Sequence, residues 1–573
     1  MNKKSIIVQL LLLSLFTFLI YSNTIKGEFL FDDEHFIVRN PYIRDWACIK
    51  DIFLTNVTSG IGFKDNFYRP LSVFVWLLLN KTFGLNPAAF HLTNIFIHIS
   101  CGVLIYLLLQ KLFKNSIAAF AGSAFFLVHP LQTEAVSYAS GTGDILSFLF
   151  LLIAVYSYLS LRGACRGEFI RPTRGSPIFY YLIFCISAIL AMLAKERAVM
   201  LVFLLPIFEL SFLIPKGSHS EPLDSHSERS EESRLLPHGK LREEPQKPRF
   251  LVSLGMTNKK QLALYGFLIL TAVFWFYLRS VALGSQNTFN FYSSQNIYSA
   301  NLLVRLYTFF YAFLIYLKLI IIPYPLHMER TIPVFTYFLQ PKVMFGFFLL
   351  FIGLILAVRS FSKKRIFFFS YFWFLIALAP TSGIVPINAL IMEHWLYFSL
   401  FGVSVFIAYL VNNFTTKARK HEILDFFRVF VVISYILILC FVTFNQNRFW
   451  KNPYIFFQHT LKYNPDSVAA NNNFAMALSD KGKLDKAIFH YKKAISINDM
   501  FPQSHHNLAR IYIAKNDLKS ALNEYYKALE INHDFVFTHQ DLTNIFTQLG
   551  EKQKAEYHQK RVREILNPTF KER

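Results

Sequence analysis

The chain has 573 residues, of which 54% are apolar and only 16% charged, against about 25% charged in an ordinary soluble domain. With 64 Phe and 29 Tyr, that composition excludes a soluble enzyme, a disordered chain and a disulfide scaffold, and reads as a polytopic membrane protein. The 58 Lys and Arg exceed the 36 Asp and Glu by 22, an excess expected of cytoplasmic loops rather than of a nucleic-acid partner.

In chain order, Lys3 and Lys4 precede an apolar run over 6–20. The following Tyr21-Ser22-Asn23-Thr24 lacks a small-x-small cleavage pattern, so the run reads as an uncleaved first span with a cytoplasmic N-terminus. Further spans are expected over 91–110, 116–130, 143–161, 178–194, 198–214, 261–278, 303–323, 343–358, 366–380, 395–411 and 428–445. Residues 70–79 are too short to cross and are expected at the interface. Residues 23–90 form the first exterior loop. The five cysteines (48, 101, 165, 185 and 440) are scattered and form neither a disulfide framework nor a metal motif.

Basic clusters at Lys111/Lys114, Arg162/Arg166/Arg171/Arg174, Lys363/Lys364/Arg365 and Lys417/Arg419/Lys420, together with a polar insert over 216–260, mark the cytoplasmic side. Between the insert and Lys363 three spans stand where two are needed. One, within 261–323, is therefore expected to be re-entrant or not a span at all, leaving about eleven crossings and an exterior C-terminal domain. The insert cannot bury a core and is expected to be disordered.

After Asn464-Pro465 the composition turns soluble. Ala487, Ala521 and Ala555 recur every 34 residues, as do Phe474, Leu508 and Leu542, and Ala494, Ala528 and Val562. Gly482, Asn516 and Gly550 fall where a left-handed turn between paired helices is needed. Three tetratricopeptide-type repeats are expected over 468–568, preceded by a half copy. The expected architecture is all-α: a membrane bundle over 1–450, then a repeat solenoid over 451–573. Such a solenoid presents a concave surface for a polypeptide.

Charged groups near membrane level cost about 2.5–3.5 kcal/mol each and are functional candidates by default. Phe31-Asp32-Asp33-Glu34-His35-Phe36 opens the first loop, and three adjacent carboxylates repel one another. Tyr68-Arg69-Pro70-Leu71, His91-Leu92-Thr93-Asn94 with His98, and His129-Pro130 with Thr133-Glu134-Ala135-Val136 follow. Then come Gly143-Asp144-Ile145-Leu146, Ala194-Lys195-Glu196-Arg197, Arg279 and Glu393-His394-Trp395-Leu396-Tyr397. By the expected topology Asp32, Arg69, His91, Glu134, Asp144, Lys195 and Glu393 lie at exterior ends of spans, which points to one outward cavity. His98 also reads as a hydrogen-bonded core histidine.

This ordered set resembles the transmembrane, tetratricopeptide-repeat-containing O-mannosyltransferases, which are GT-C integral-membrane glycosyltransferases. The resemblance runs from Phe31 through the repeats, and the first loop is also similar to the acidic motif of protein O-mannosyltransferases, aligning Asp32 with that family's first acid. It implies an inverting transfer of a sugar, mannose, from a polyprenyl-phosphate donor to Ser or Thr of an acceptor polypeptide held by the repeats. Asp32, seconded by Asp33, is then the base. Arg69, Lys195 and Arg279 bind the donor phosphate, and His91, His129, Glu134, Asp144, Glu196, Glu393 and His394 orient substrate. No cofactor and no required metal are implied, a divalent ion beside Asp32 and Asp33 being the less favoured reading. The bilayer of a bacterial inner membrane is the expected setting.

Two departures stand out: Gly143 precedes Asp144, and His394 follows Glu393, where the family commonly has Arg. A membrane-anchored scaffold without catalysis, and a transferase acting on a lipid or glycan, are the alternative readings.

Overall fold

The computed structural model describes residues 3–61, 66–166, 177–213, 259–284, 296–387, 389–416 and 422–566. The expected insert, save residues 259–260, lies outside them, as do Arg171, Arg174, Lys417, Arg419 and Lys420. Among the described residues every regular element is helical.

Eight helices there are long and apolar enough to cross a membrane. They include Lys3–Tyr21, Pro87–Phe113, Thr142–Arg166, Pro177–Ala194 and Glu422–Asn447. Lys259–Leu283, Leu302–Ile321 and Pro341–Ser360 complete the set. The chain is thus a multi-pass membrane protein. The first two of this last group fall within 261–323, where one element was expected not to cross; both are long and apolar enough to do so.

Four other expected spans are cut short. Ser116–Val128, Leu201–Phe212, Arg365–Leu378 and Leu400–Thr416 have 12 to 17 residues, or about 18–26 Å at 1.5 Å per residue, less than a bilayer core of about 30 Å. Each abuts a short turn: Pro130–Gln132, Glu196–Met200, Ala379–Thr381 or Glu393–Leu396. Non-helical backbone at such depth is tolerated where it is enclosed by protein or lines a cavity. These interruptions are where the polar motifs sit.

The bundle core joins the first helix, Pro87–Phe113, Ser116–Val128, Thr142–Arg166 and Leu400–Thr416. Gly102 sets one close approach, because a Cβ there would lie 2.4 Å from the Leu127 side chain, and Ser123 Oγ donates to its carbonyl at 2.7 Å. Buried small residues of this kind let helices pack in lipid. Residues 70–79 belong to the 14-residue helix Pro70–Phe83, whose Val73, Trp76 and Leu77 pack on Ile37, Ile43 and Ile52 of the first loop. His98 is the core histidine anticipated, bonded to Tyr397 Oη at 2.8 Å and the Leu127 carbonyl at 3.0 Å.

The C-terminal region forms three antiparallel pairs, Val468–Asp480 with Leu484–Ile497, Pro502–Ala514 with Leu518–Ile531, and Val536–Gln548 with Lys552–Leu566, after a single helix Pro453–Tyr463. Ala487, Ala521 and Ala555 are buried between partners. Gly482, Asn516 and Gly550 adopt φ of 70°, 58° and 73°, the left-handed turns that the period required. The solenoid is seated on the bundle. Leu30, Tyr138 and Met328 share one apolar cluster with Trp450, Phe456, Phe457 and Phe474. Arg39 lies 5.6 Å over the Phe537 ring, so the first loop reaches the third repeat.

Candidate active site

The shortened helices converge on a cavity of about 1150 Å³. Its lining includes the apolar Phe203, Trp275, Phe276, Ile376, Ile384 and Ile391 and the charged or polar Asp32, Arg69, Glu134, Asp144, Lys195, Glu196, Arg279 and His394. Eight of the twelve expected site residues therefore meet in one place.

Phe31 enters the left-handed region, with φ of 49°, just before the two acids, and these then part. Asp32 lines the cavity while its amide donates to Tyr138 Oη at 2.7 Å. Its carbonyl accepts the amides of His35 and Phe36 at 3.0 and 2.8 Å, which closes the turn. The Asp33 carboxylate turns inward and accepts the amides of Leu30 at 2.9 Å and Ser140 at 2.8 Å. Burial, against those hydrogen bonds, pushes its carboxyl up to about 7.

Around the cavity the cations are matched. Arg69 grips Glu196 with two bonds of 3.1 and 2.7 Å; burial would raise the Glu196 carboxyl, but Arg69 overrides this and holds it well below the usual range. Lys195 Nζ donates to Asp144 Oδ2 at 2.5 Å, and Arg197 lies 3.6 Å from the other Asp144 oxygen. Arg279 donates to the Asn66 carbonyl at 2.8 Å. His394 meets Glu134 twice, through Nδ1 at 2.7 Å and its amide at 2.9 Å. Burial of Glu134 opposes ionisation, yet His394 draws its carboxyl below the usual value.

Four expected residues lie off the cavity lining, and their places correct the reading of them as groups facing substrate. Asp33 braces the loop, as described. His91 is buried against Gly27, where a Cβ would come within 3.1 Å of Nε2. His129 caps the Pro130 turn through the Leu131 amide at 3.2 Å and donates to the Ile320 carbonyl at 3.0 Å, tying two helices together. Glu393 is buried and accepts from Arg330 and from the His327 amide, both at 2.9 Å.

Tyr138, Arg197, Glu329 and Arg330 line the cavity without having stood among the expected site residues. Arg197 ends the Ala-Lys-Glu-Arg run. Glu329 and Arg330 belong to Leu326-His327-Met328-Glu329-Arg330-Thr331, a polar break between apolar helices that is the available signal. The departure at Gly143 also has a geometric reading. A Cβ there would lie 3.0 Å from Ser72 Oγ and 3.3 Å from the Ala194 carbonyl, so positive charge beside Asp144 arrives from Lys195 and Arg197 instead.

An all-α membrane bundle with a cavity lined by both apolar and charged side chains, joined to a tetratricopeptide solenoid, is the class of protein these features define. Residues 468–499 and 502–535 match the tetratricopeptide repeat model. The resemblance seen in the motifs extends over most of the chain. It is 24% identical to protein O-mannosyl-transferase TMTC1 of Mus musculus, covering 84% of this chain and 57% of that protein. It is 26% identical to the Homo sapiens protein of the same name, covering 84% and 54%. The chain thus spans about half the length of the curated relatives it matches. Among solved structures, the Archaeoglobus fulgidus oligosaccharyltransferase tethered to an acceptor peptide aligns with a TM-score of 0.38 and 13% identity, over 85% of this chain and 59% of that one.

Proposed function

We propose that this chain is an inverting glycosyltransferase that moves a sugar, mannose, from a polyprenyl-phosphate donor to a Ser or Thr hydroxyl of an acceptor polypeptide. The observation that carries this reading is the cavity itself, whose lining joins Asp32 and a cluster of cations to large apolar side chains. An isoprenoid tail requires the apolar side chains, and its phosphate requires the cations.

The acceptor oxygen attacks the anomeric carbon as its proton passes to Asp32. The bond from that carbon to the phosphate oxygen breaks, and its electron pair leaves with the polyprenyl phosphate. Attack and departure on opposite faces invert the anomeric centre. Proton removal by a placed carboxylate is worth about 10²–10⁴-fold. Charge developing on the leaving phosphate is met by Arg69, Lys195 and Arg279, which Glu196, Asp144 and the Asn66 carbonyl respectively hold in place before the donor arrives. Glu134, Asp144, Glu196 and His394 orient sugar hydroxyls and those cations. Asp33, His91, His129 and Glu393 support the cavity from behind. The reaction so written needs no cofactor and no metal.

The repeats share the face of the first loop and hold the acceptor near Asp32, raising its local concentration. The protein works in a bacterial inner membrane with that face outward. The test incubates membranes holding the native or Asp32→Asn chain with labelled polyprenyl-phosphate mannose and candidate acceptor proteins. Transfer that falls at least about a hundredfold in the variant supports the reading; equal transfer by both removes Asp32 as base.

A further inference from the structure

We propose that Arg330 is a further ligand of the donor phosphate, and that the repeat domain builds part of the donor site by clamping the loop that carries it. The proposal rests on the polyprenyl-phosphate reading above and adds a residue and a role to it.

Residues 325–331 connect the bundle to the start of the solenoid. The Leu326 carbonyl accepts from His459 Nε2 at 2.8 Å and Gln446 Nε2 at 3.1 Å. The His327 ring stacks on Tyr463 with centroids 5.2 Å apart and an angle of 13°. Asn464 closes the clamp with both ends of its amide, donating to the Glu329 carbonyl and accepting from Thr331 Oγ1 at 3.2 Å. Ser467 Oγ donates to Glu329 Oε2 at 3.3 Å. Glu329 is held at φ of 58°, a conformation that a non-glycine residue keeps only when its surroundings over-determine it.

Arg330 is the product of this arrangement. Its Nη2 donates to the Pro325 carbonyl at 2.7 Å and to Glu393 Oε1 at 2.9 Å, while the guanidinium lines the cavity. With both Nη2 protons committed and Nε buried without a partner among the described residues, Nη1 is the donor left to an anion. A guanidinium N–H pairs with a phosphate oxygen in a charge-assisted hydrogen bond. Arg69, Lys195 and Arg330 each face a carboxylate, Glu196 at 2.7 Å, Asp144 at 2.5 Å and Glu393 at 2.9 Å. Burial pushes the Glu393 carboxyl up to about 8 against the pull of Arg330.

The experiment uses the purified full chain in detergent and two readouts. Binding of polyprenyl phosphate in mixed micelles is followed by fluorescence of the cavity tryptophans, and mannose transfer is followed while donor and acceptor are varied separately. Arg330→Gln is expected to weaken carrier binding and raise the donor KM by about tenfold or more, leaving the acceptor KM unchanged, with Arg330→Lys restoring only part. Asn464→Asp, outside the cavity, places an acceptor against the Glu329 carbonyl and is expected to reproduce the donor defect. Unchanged carrier binding in Arg330→Gln overturns the role of Arg330. An Asn464→Asp chain impaired only in acceptor KM overturns the clamp. Should Arg330→Gln fail to fold, Asn464→Asp and Arg330→Lys carry the test. Tight, Arg330-dependent carrier binding without any sugar transfer supports this proposal and defeats the transferase reading alone.

Discussion

Lys195 Nζ lies 2.5 Å from Asp144 Oδ2, and the two side chains are 9% and 3% exposed. They join the turn after Pro177–Ala194 to the first turn of Thr142–Arg166. Removing one partner of a buried pair leaves an uncompensated charge and costs about 3–5 kcal/mol. Lys195→Met is therefore expected to lower the thermal midpoint of the detergent-solubilised chain by several degrees. The Lys195→Met/Asp144→Asn double variant should recover part of the loss, since it removes both charges; a double-mutant cycle of melting curves measures the coupling.

Asp33 offers a second measurement. Its carboxylate serves the amides of Leu30 and Ser140, and each buried donor left without an acceptor costs about 1–3 kcal/mol. Asp33→Ala is expected to destabilise the first loop, with faster hydrogen exchange over residues 30–40. The pH dependence has a definite sign. With the folded carboxyl raised to about 7, the protonated form is the one favoured by folding. This contribution is complete below the ordinary carboxylate value and is lost as pH rises through about 7. Melting curves across that window should show the slope in the native chain and a flatter one in Asp33→Asn.

The last repeat should respond to acid. His539 Nδ1 and His558 Nδ1 face each other at 2.8 Å, a contact that needs one donor and one acceptor and fails when both rings are protonated. Burial, with His539 adding to it, pushes the His558 imidazole down to about 4. A depressed imidazole contributes stability above its ordinary value of 6.5 that is lost as pH falls through about 4. Hydrogen exchange over 536–566 of the full chain should accelerate on acidification while the first repeat changes less, and His558→Gln should weaken that dependence.

Gly550 tests the turn geometry without any packing change. It sits at φ of 73° with nothing within 4 Å of where a Cβ would stand. Gly550→Ala is therefore expected to cost about 1–2 kcal/mol purely from the backbone. Asn516→Gly at the equivalent turn, with φ of 58°, should be close to neutral by the same denaturation measurement.

The repeats were legible to individual residues because their determinants are local. Ala487, Ala521 and Ala555 pack against partners one helix away, and the left-handed turns at Gly482, Asn516 and Gly550 follow from neighbouring backbone alone. Apolar runs likewise revealed the helices of the bundle. Their ends did not follow, because whether 116–130 or 198–214 continues as helix depends on what encloses the break. At Pro130 and Lys195 the rest of the bundle encloses it.

The sequence by itself determined that this is a helical membrane protein with a repeat solenoid and a set of charged motifs at span ends. It could do so because hydropathy and short-period spacing act between near neighbours. Only the tertiary structure decided which charges share a cavity. Adjacent Asp32 and Asp33 part because Ser140, over a hundred residues onward, claims one of them, and Glu393 retreats behind Arg330. Burial and pairing are properties of the packed whole, since a carboxylate's partner is set by which distant helix end lies beside it.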